Sequence, residues 1–174
     1  MLTAKQYEGI GRFTIAFNEI DLIVTTYLPL VVKYSNYKTL QSQKTLSTFH
    51  ARSNALRKVL NAVSTADLVA GAYAQNVLNF LDMADAVSQK RNGYVHAIAS
   101  IDIATNARIL QIRGKDEVPD EEKIFNLANE SGFVSWKLAE ECESLLRFYL
   151  GMSEPIQNIE LSETSDEGEE YGNS

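Results

Sequence analysis

The chain has 174 residues, 45% of them hydrophobic, and a formal net charge of −7 at pH 7, which is length enough for one domain with a sizeable core. A lone cysteine, Cys142, excludes an internal disulfide framework and a paired-cysteine metal site. The net charge speaks against a nucleic-acid partner only until it is divided along the chain: seven acids and no Lys or Arg fall between Glu154 and Ser174, leaving sixteen of each sign in residues 1–153.

Residues 4–28 are predicted to form an amphipathic helix, because Phe13, Phe17, Ile20, Val24 and Tyr27 recur at steps of three and four. Pro29 should kink or end it, since proline lacks the donor N–H and clashes with the preceding turn. Ile15 and Leu22, roughly opposite Phe13, form a second apolar stripe suited to contact with another helix or another subunit. The richest apolar run, Leu22 to Val32, is too short for a bilayer span and is broken by Pro29. The amino terminus lacks the charged-then-apolar pattern of a leader, so the chain reads as soluble, with no membrane association. Cys142, set among Leu138, Leu145 and Leu146 on a buried helix face, fits a reducing cytoplasm.

A loop over Tyr34 to Leu40 should lead into a second helix from about Ser42 to Val63. Its core face is Leu46, Phe49, Leu56, Leu60 and Val63, and His50, Asn54, Arg57 and Asn61 line a separate polar stripe at the same spacing. No acid lies between Asp21 and Asp67, whereas Lys33, Lys38, Lys44, Arg52, Arg57 and Lys58 do, either a local positive field to which a phosphate backbone would respond or simply the solvated face of a helix. His50, Asn54 and Arg57 are therefore candidate substrate-binding residues. Glu19 and Asp21 are candidate partners for Arg91 or Arg52, and helix phase favours Asp21 for the core edge.

The third helix is predicted from near Ala66 past Lys90, with Val77, Phe80, Leu81, Ala84 and Val87 facing inward. Arg91, four residues beyond Val87, is turned by that phase toward the core side, where a cation requires a partner. After His96, Ile101 and Ile103, then Ile109 and Ile112, flank Thr105-Asn106 as a short β-hairpin. Pro119-Asp120-Glu121-Glu122 reads as a helix start, with acids at the positive end of the dipole. The fourth helix should be interrupted or bent near Gly132, continue through Leu138, Cys142, Leu145 and Tyr149, and stop at Gly151. Residues 1–153 thus read as one all-α domain of four to five helices, and 154–174 as an acidic disordered tail, either a competitor for a basic groove or a solubilising end.

Arg91-Asn92-Gly93-Tyr94-Val95-His96 carries the chemistry: a permanent cation, an amide and a titratable imidazole on adjacent turns. Asn92 and His96 share a helical stripe and Arg91 lies about a quarter turn away. Cleaving RNA without a metal requires a base for the 2′-hydroxyl, an acid for the departing 5′-oxygen and a cation for charge developing on phosphorus. One chain offers one strong histidine here, so two copies about a two-fold axis would complete the set. No Gly-rich phosphate loop, His-Glu-x-x-His metal site or serine elbow competes with this motif.

The segment resembles the signature of the HEPN domain superfamily, small all-helical proteins of toxin–antitoxin, phage-defence and RNA-processing systems: Arg, commonly followed by Asn, Asp or His, then His after four to six residues. Arg91, Asn92 and His96 match at the shortest spacing, and Tyr94, two before the histidine, is similar to the Tyr-x-His ending of one toxin branch. The resemblance covers about residues 4–150. It implies a HEPN-like helical bundle acting as a homodimer, with Arg91, Asn92 and His96 catalytic in a metal- and cofactor-independent endoribonuclease acting on RNA. It further implies an antitoxin or regulatory protein as partner, and Tyr94 as a residue that positions a base or is modified by a partner nucleotidyltransferase; the residue by itself reads as an ordinary half-buried tyrosine. A noncatalytic RNA- or protein-binding module would keep the same helices.

Overall fold

The structure is a computed structural model and describes residues 2–35, 46–96, 98–101, 108–112, 115–117 and 120–152. Among these residues four helices account for the fold: α1 (Ala4–Tyr34), α2 (Phe49–Ala66), α3 (Leu68–Val95) and α4 (Glu121–Tyr149). Between α3 and α4 the backbone forms an antiparallel sheet of β1 (Ile98–Ile101), β2 (Arg108–Ile112) and β3 (Lys115–Glu117), in the order β1-β2-β3. Ile101 faces Arg108 and Ile98 faces Gln111, so the expected hairpin is present and is extended by a third strand.

Each helix starts where a short polar side chain can satisfy the first free N–H groups. Thr3 and Gln6 form a reciprocal capping box on α1, and the Thr3 hydroxyl also donates to Glu121 at 2.8 Å, tying the first turns of α1 and α4 together. Thr48 caps α2 and Asp120 caps α4. Asp67 ends α2 and accepts from the N–H groups of Val69 and Ala70 at the start of α3, so one residue turns the chain around. α4 ends in a Schellman motif: Gly151 adopts φ 67°, its N–H donates to Phe148 at 3.0 Å, and Met152 N–H donates to Arg147 at 2.8 Å.

Three sequence-based boundaries need correction. α1 does not end at Pro29 but runs 31 residues through it, because Pro29 lies on the exposed side while Leu28 and Val31 stay in the core. α2 starts at Phe49 among the described residues; positions 36–45, which include the expected start near Ser42 together with Lys38 and Lys44, lie outside them. α4 is continuous through Gly132, where nothing crowds the backbone. Pro119 and the tail from 153 to 174 also lie outside the described residues.

The unbroken α1 removes the length argument against a membrane span: by length and composition alone it could cross one. Its apolar stripe is already used inside the bundle, however. Phe13, Ile20, Val24 and Val31 are fully buried, with Leu56, Leu60, Leu81, Ile124, Leu138 and Leu145 supplied by the other helices. Cys142 is buried among them, in line with its leucine neighbours.

Contacts fix the helix directions. Phe17 meets Phe49, and Asp21 pairs with Arg52, so α1 and α2 run the same way. Thr3–Glu121 and the close approach of Gly9 to Ile124 set α4 parallel to α1. α3 runs opposite to all three, with Phe13 against Tyr94, Asn76 against Glu141 and Lys90 against Glu130. The end of α3 therefore reaches below the start of α2, and the Arg91–His96 segment sits at that step.

Candidate functional site

Val87 is 1% exposed on the core stripe of α3, and one turn further the same phase delivers Arg91 to the edge of the core. Its guanidinium lies 5.3 Å over the ring of Phe17, and Nη1 donates to the Asn92 side-chain oxygen at 3.1 Å. Nε is buried without a hydrogen-bond partner. Burying a donor of a charged group in this way costs about 1–3 kcal/mol or more, so the local free energy favours an anion that can reach the fork. Among the arginines whose side chains are described, Arg91 alone has no carboxylate: Arg12 has Glu8, Arg52 has Asp21, Arg57 has Asp82 and Asp85, and Arg147 has Glu143.

Asn92 and His96 are exposed. His96 is the C-cap of α3, with φ −100° and ψ 8°, and its N–H donates to the Asn92 carbonyl at 3.2 Å. The intervening Gly93 is buried in this last turn. Arg91, Asn92 and His96 are thus brought together at one end of the bundle: a cation resting on an aromatic platform, an amide that orients it, and an imidazole at the rim. Such a group can hold a phosphate and move one proton.

Of the polar stripe of α2, Arg57 reaches α3, while His50, Asn54 and Asn61 are exposed. Arg57 Nη2 donates to Asp85 at 2.6 Å, Nη1 donates to Asp82, and the hydroxyl of Ser53 lies 3.4 Å from Asp85. At the other end of this stripe Asn54 Nδ2 lies 2.9 Å from His50 Nε2, a contact whose donor and acceptor depend on the ring tautomer and the amide orientation. Both residues are exposed.

Two expectations change here. The acid-free segment does not present its arginines as a free positive field, because Asp21 reaches Arg52 from α1 and Asp82 and Asp85 reach Arg57 from α3. Arg57 is a clamp between helices, and a phosphate would have to displace a carboxylate to reach it. Tyr94 is 9% exposed, packed edge-on against Phe13 with centroids 6.2 Å apart, so its ring face is not available to stack on a base.

Phe17 as the platform for Arg91 carries no signal in chain spacing. Phe133 and Trp136, 47% and 58% exposed on α4, make a second exposed apolar surface besides Ile15 and Leu22, and their three-residue spacing beside Lys137 could have revealed it. A shallow groove along the first turns of α4 is lined by Asp120, Glu122 and Glu130 with Lys123, an acidic setting unsuited to phosphate. Among the described residues no group of three or more His, Cys, Asp or Glu side chains is arranged to hold a metal ion. Compared with models of known protein families, with curated proteins and with solved structures, the chain gives no significant match.

Proposed function

We propose that this chain is a HEPN-like, metal-independent endoribonuclease that cuts at the Arg91–Asn92–His96 end of its bundle, in a bacterial or phage-related defence, toxin or stress system. The observation that carries the reading is Arg91: a partly buried guanidinium stacked on Phe17, with an unpartnered Nε and no carboxylate among the described residues. Its role is to bind the scissile phosphate and offset the charge that grows there. Asn92 holds the guanidinium fork, and His96 transfers a proton at the reacting oxygen.

Homodimerisation in the cytoplasm, and restraint by an antitoxin or regulatory protein, belong to the same proposal. His96 serves one of the two proton transfers, so the second requires another imidazole, from a second copy or from elsewhere in the chain. The test is incubation of purified protein with mixed-sequence RNA in EDTA, followed by analysis of product ends. Fragments ending in 2′,3′-cyclic phosphate or 3′-phosphate are expected. Uncut but bound RNA would instead support the noncatalytic module, and 3′-hydroxyl ends would mean a different chemistry.

A further inference from the structure

The chain has two histidines, and the packing of α2 on α3 brings both to one end of one polar seam. The seam's register follows from contacts along it. Arg57–Asp85 extended by seven residues in each helix sets His50 level with Asn92; Ser53–Asp85 extended by three sets it level with Ser88. His96 therefore lies one to two turns beyond His50, about 6–12 Å along the axis at about 1.5 Å per residue. Seven residues return a helix to nearly the same azimuth, so His50 shares the stripe of Arg57, which faces α3. Eleven residues are close to three full turns, so His96 lies on the stripe of Asp85, which faces α2.

We infer that His50 and His96 of a single chain form the acid–base pair of the RNA-cleaving site, with Arg91 beside them on the scissile phosphate. This rests on the ribonuclease reading and completes it within one chain. One imidazole, neutral, takes the proton of the 2′-hydroxyl as its oxygen bonds to phosphorus. The P–O5′ bond breaks, and the other imidazole, protonated, gives its proton to that oxygen. The products are a 2′,3′-cyclic phosphate and a 5′-hydroxyl, with no net change in protons or electrons. The positive end of the α2 dipole lies at His50 and favours a phosphate at this end. The amide of Asn54 lies 2.9 Å from His50 Nε2 and orients the ring; the charged groups facing the seam are Arg57, Asp82 and Asp85, and Arg91 stands to one side of it, over Phe17 of α1.

The test uses the full chain and mixed-sequence RNA. His50→Ala should lower the cleavage rate by about 10²-fold, the scale of a lost general acid or base. His50→Gln keeps a group able to bond Asn54 yet cannot titrate near neutrality; it should lose as much activity as His50→Ala, and the bell-shaped pH–rate profile should lose one limb. Circular dichroism of both variants should match the parent, since His50 is exposed. Mixing His50→Ala with His96→Ala subunits should restore nothing, because every chain then lacks one half of its pair. Unchanged cleavage by His50→Ala overturns the inference while leaving the ribonuclease reading intact. Recovered activity on mixing also overturns it, since the two imidazoles would then belong to different copies. Absence of cleavage by the parent protein overturns both.

Discussion

Arg57 on α2 donates to Asp85 on α3 at 2.6 Å, and the same guanidinium reaches Asp82 one turn earlier, so one cation bridges two carboxylates on the facing helix. The Arg57 and Asp85 side chains are only 21% and 25% exposed, which sets this pair apart from a solvated surface bridge. It determines how α2 slides along α3, and through that register the level of His50 relative to His96.

Removing the cation alone leaves Asp82 and Asp85 close together and uncompensated. Arg57→Ala is therefore expected to lower the unfolding free energy by about 1–3 kcal/mol, measured by urea titration. Arg57→Ala combined with Asp85→Ala should be less destabilised than the sum of the single changes, because the second removes the stranded charge. Additive losses would mean that the pair contributes no coupling.

Much of the bundle is legible in the sequence because helix periodicity is a local signal. Phe13, Phe17, Ile20 and Val24 mark the core face of α1, helix phase assigns Asp21 to the core edge where it meets Arg52, and the step from Val87 places Arg91 beside the core. What is not legible depends on neighbours that one helix does not contain. Pro29 reads as a stop because its lost N–H bond is a local cost, yet burial of Leu28 and Val31 on either side outweighs that cost. The ordinary half-buried reading of Tyr94 agrees with its burial, but the ring that packs on it, Phe13, is far away in sequence and leaves no local signal. The clamp of Arg57 by Asp82 and Asp85 follows from the register of an antiparallel pair, which a stripe on α2 alone cannot give.

For the proposed reaction, Arg91→Ala and His96→Ala should each reduce RNA cleavage by about 10²-fold or more. Arg91→Lys should not restore the rate, since an ammonium lacks the planar fork that holds Asn92 and two phosphate oxygens at once. Phe17→Leu should lower stability by about 0.5–1.5 kcal/mol through the lost ring contact with Phe49 and also weaken RNA binding to the folded protein, because the ring supports the guanidinium at 5.3 Å. Initial rates and a binding titration separate these effects. A fully active Arg91→Lys variant would reduce the role of Arg91 to that of a point charge.

Two glycines in the first turns of α1 should respond to alanine with opposite signs. A Cβ on Gly9 would come within 2.7 Å of the Ile124 Cγ2 methyl, on a side chain that is fully buried and has no free direction to move. Gly9→Ala is expected to destabilise by about 1–3 kcal/mol through overpacking of α1 on α4. Gly11 is exposed, and a methyl group there would meet nothing within 4 Å, so Gly11→Ala should stabilise by about 0.5–1 kcal/mol by limiting the unfolded chain. Thermal melts of the two variants, run side by side, check the difference.

Stability should also fall in alkali, and Cys142 is the main reason. Burial pushes its thiol up to about 12, with the carboxylate of Glu141 adding to the effect. Burial likewise raises Tyr27 and Tyr149 above the ordinary phenol value. In each case the folded state keeps a proton that the unfolded state releases, so the stabilisation is complete below the unfolded pKa, about 8.5 for a thiol, and is lost progressively as pH rises toward the folded value. A single such group contributes a slope of at most about 1.4 kcal/mol per pH unit. The melting temperature should therefore hold up to about pH 8.5 and decline beyond it. Cys142→Ala should melt lower than the parent at neutral pH, because it leaves a small void, yet lose less on going to about pH 10. Parallel curves for the two proteins would show that the thiol keeps no proton advantage in the folded state.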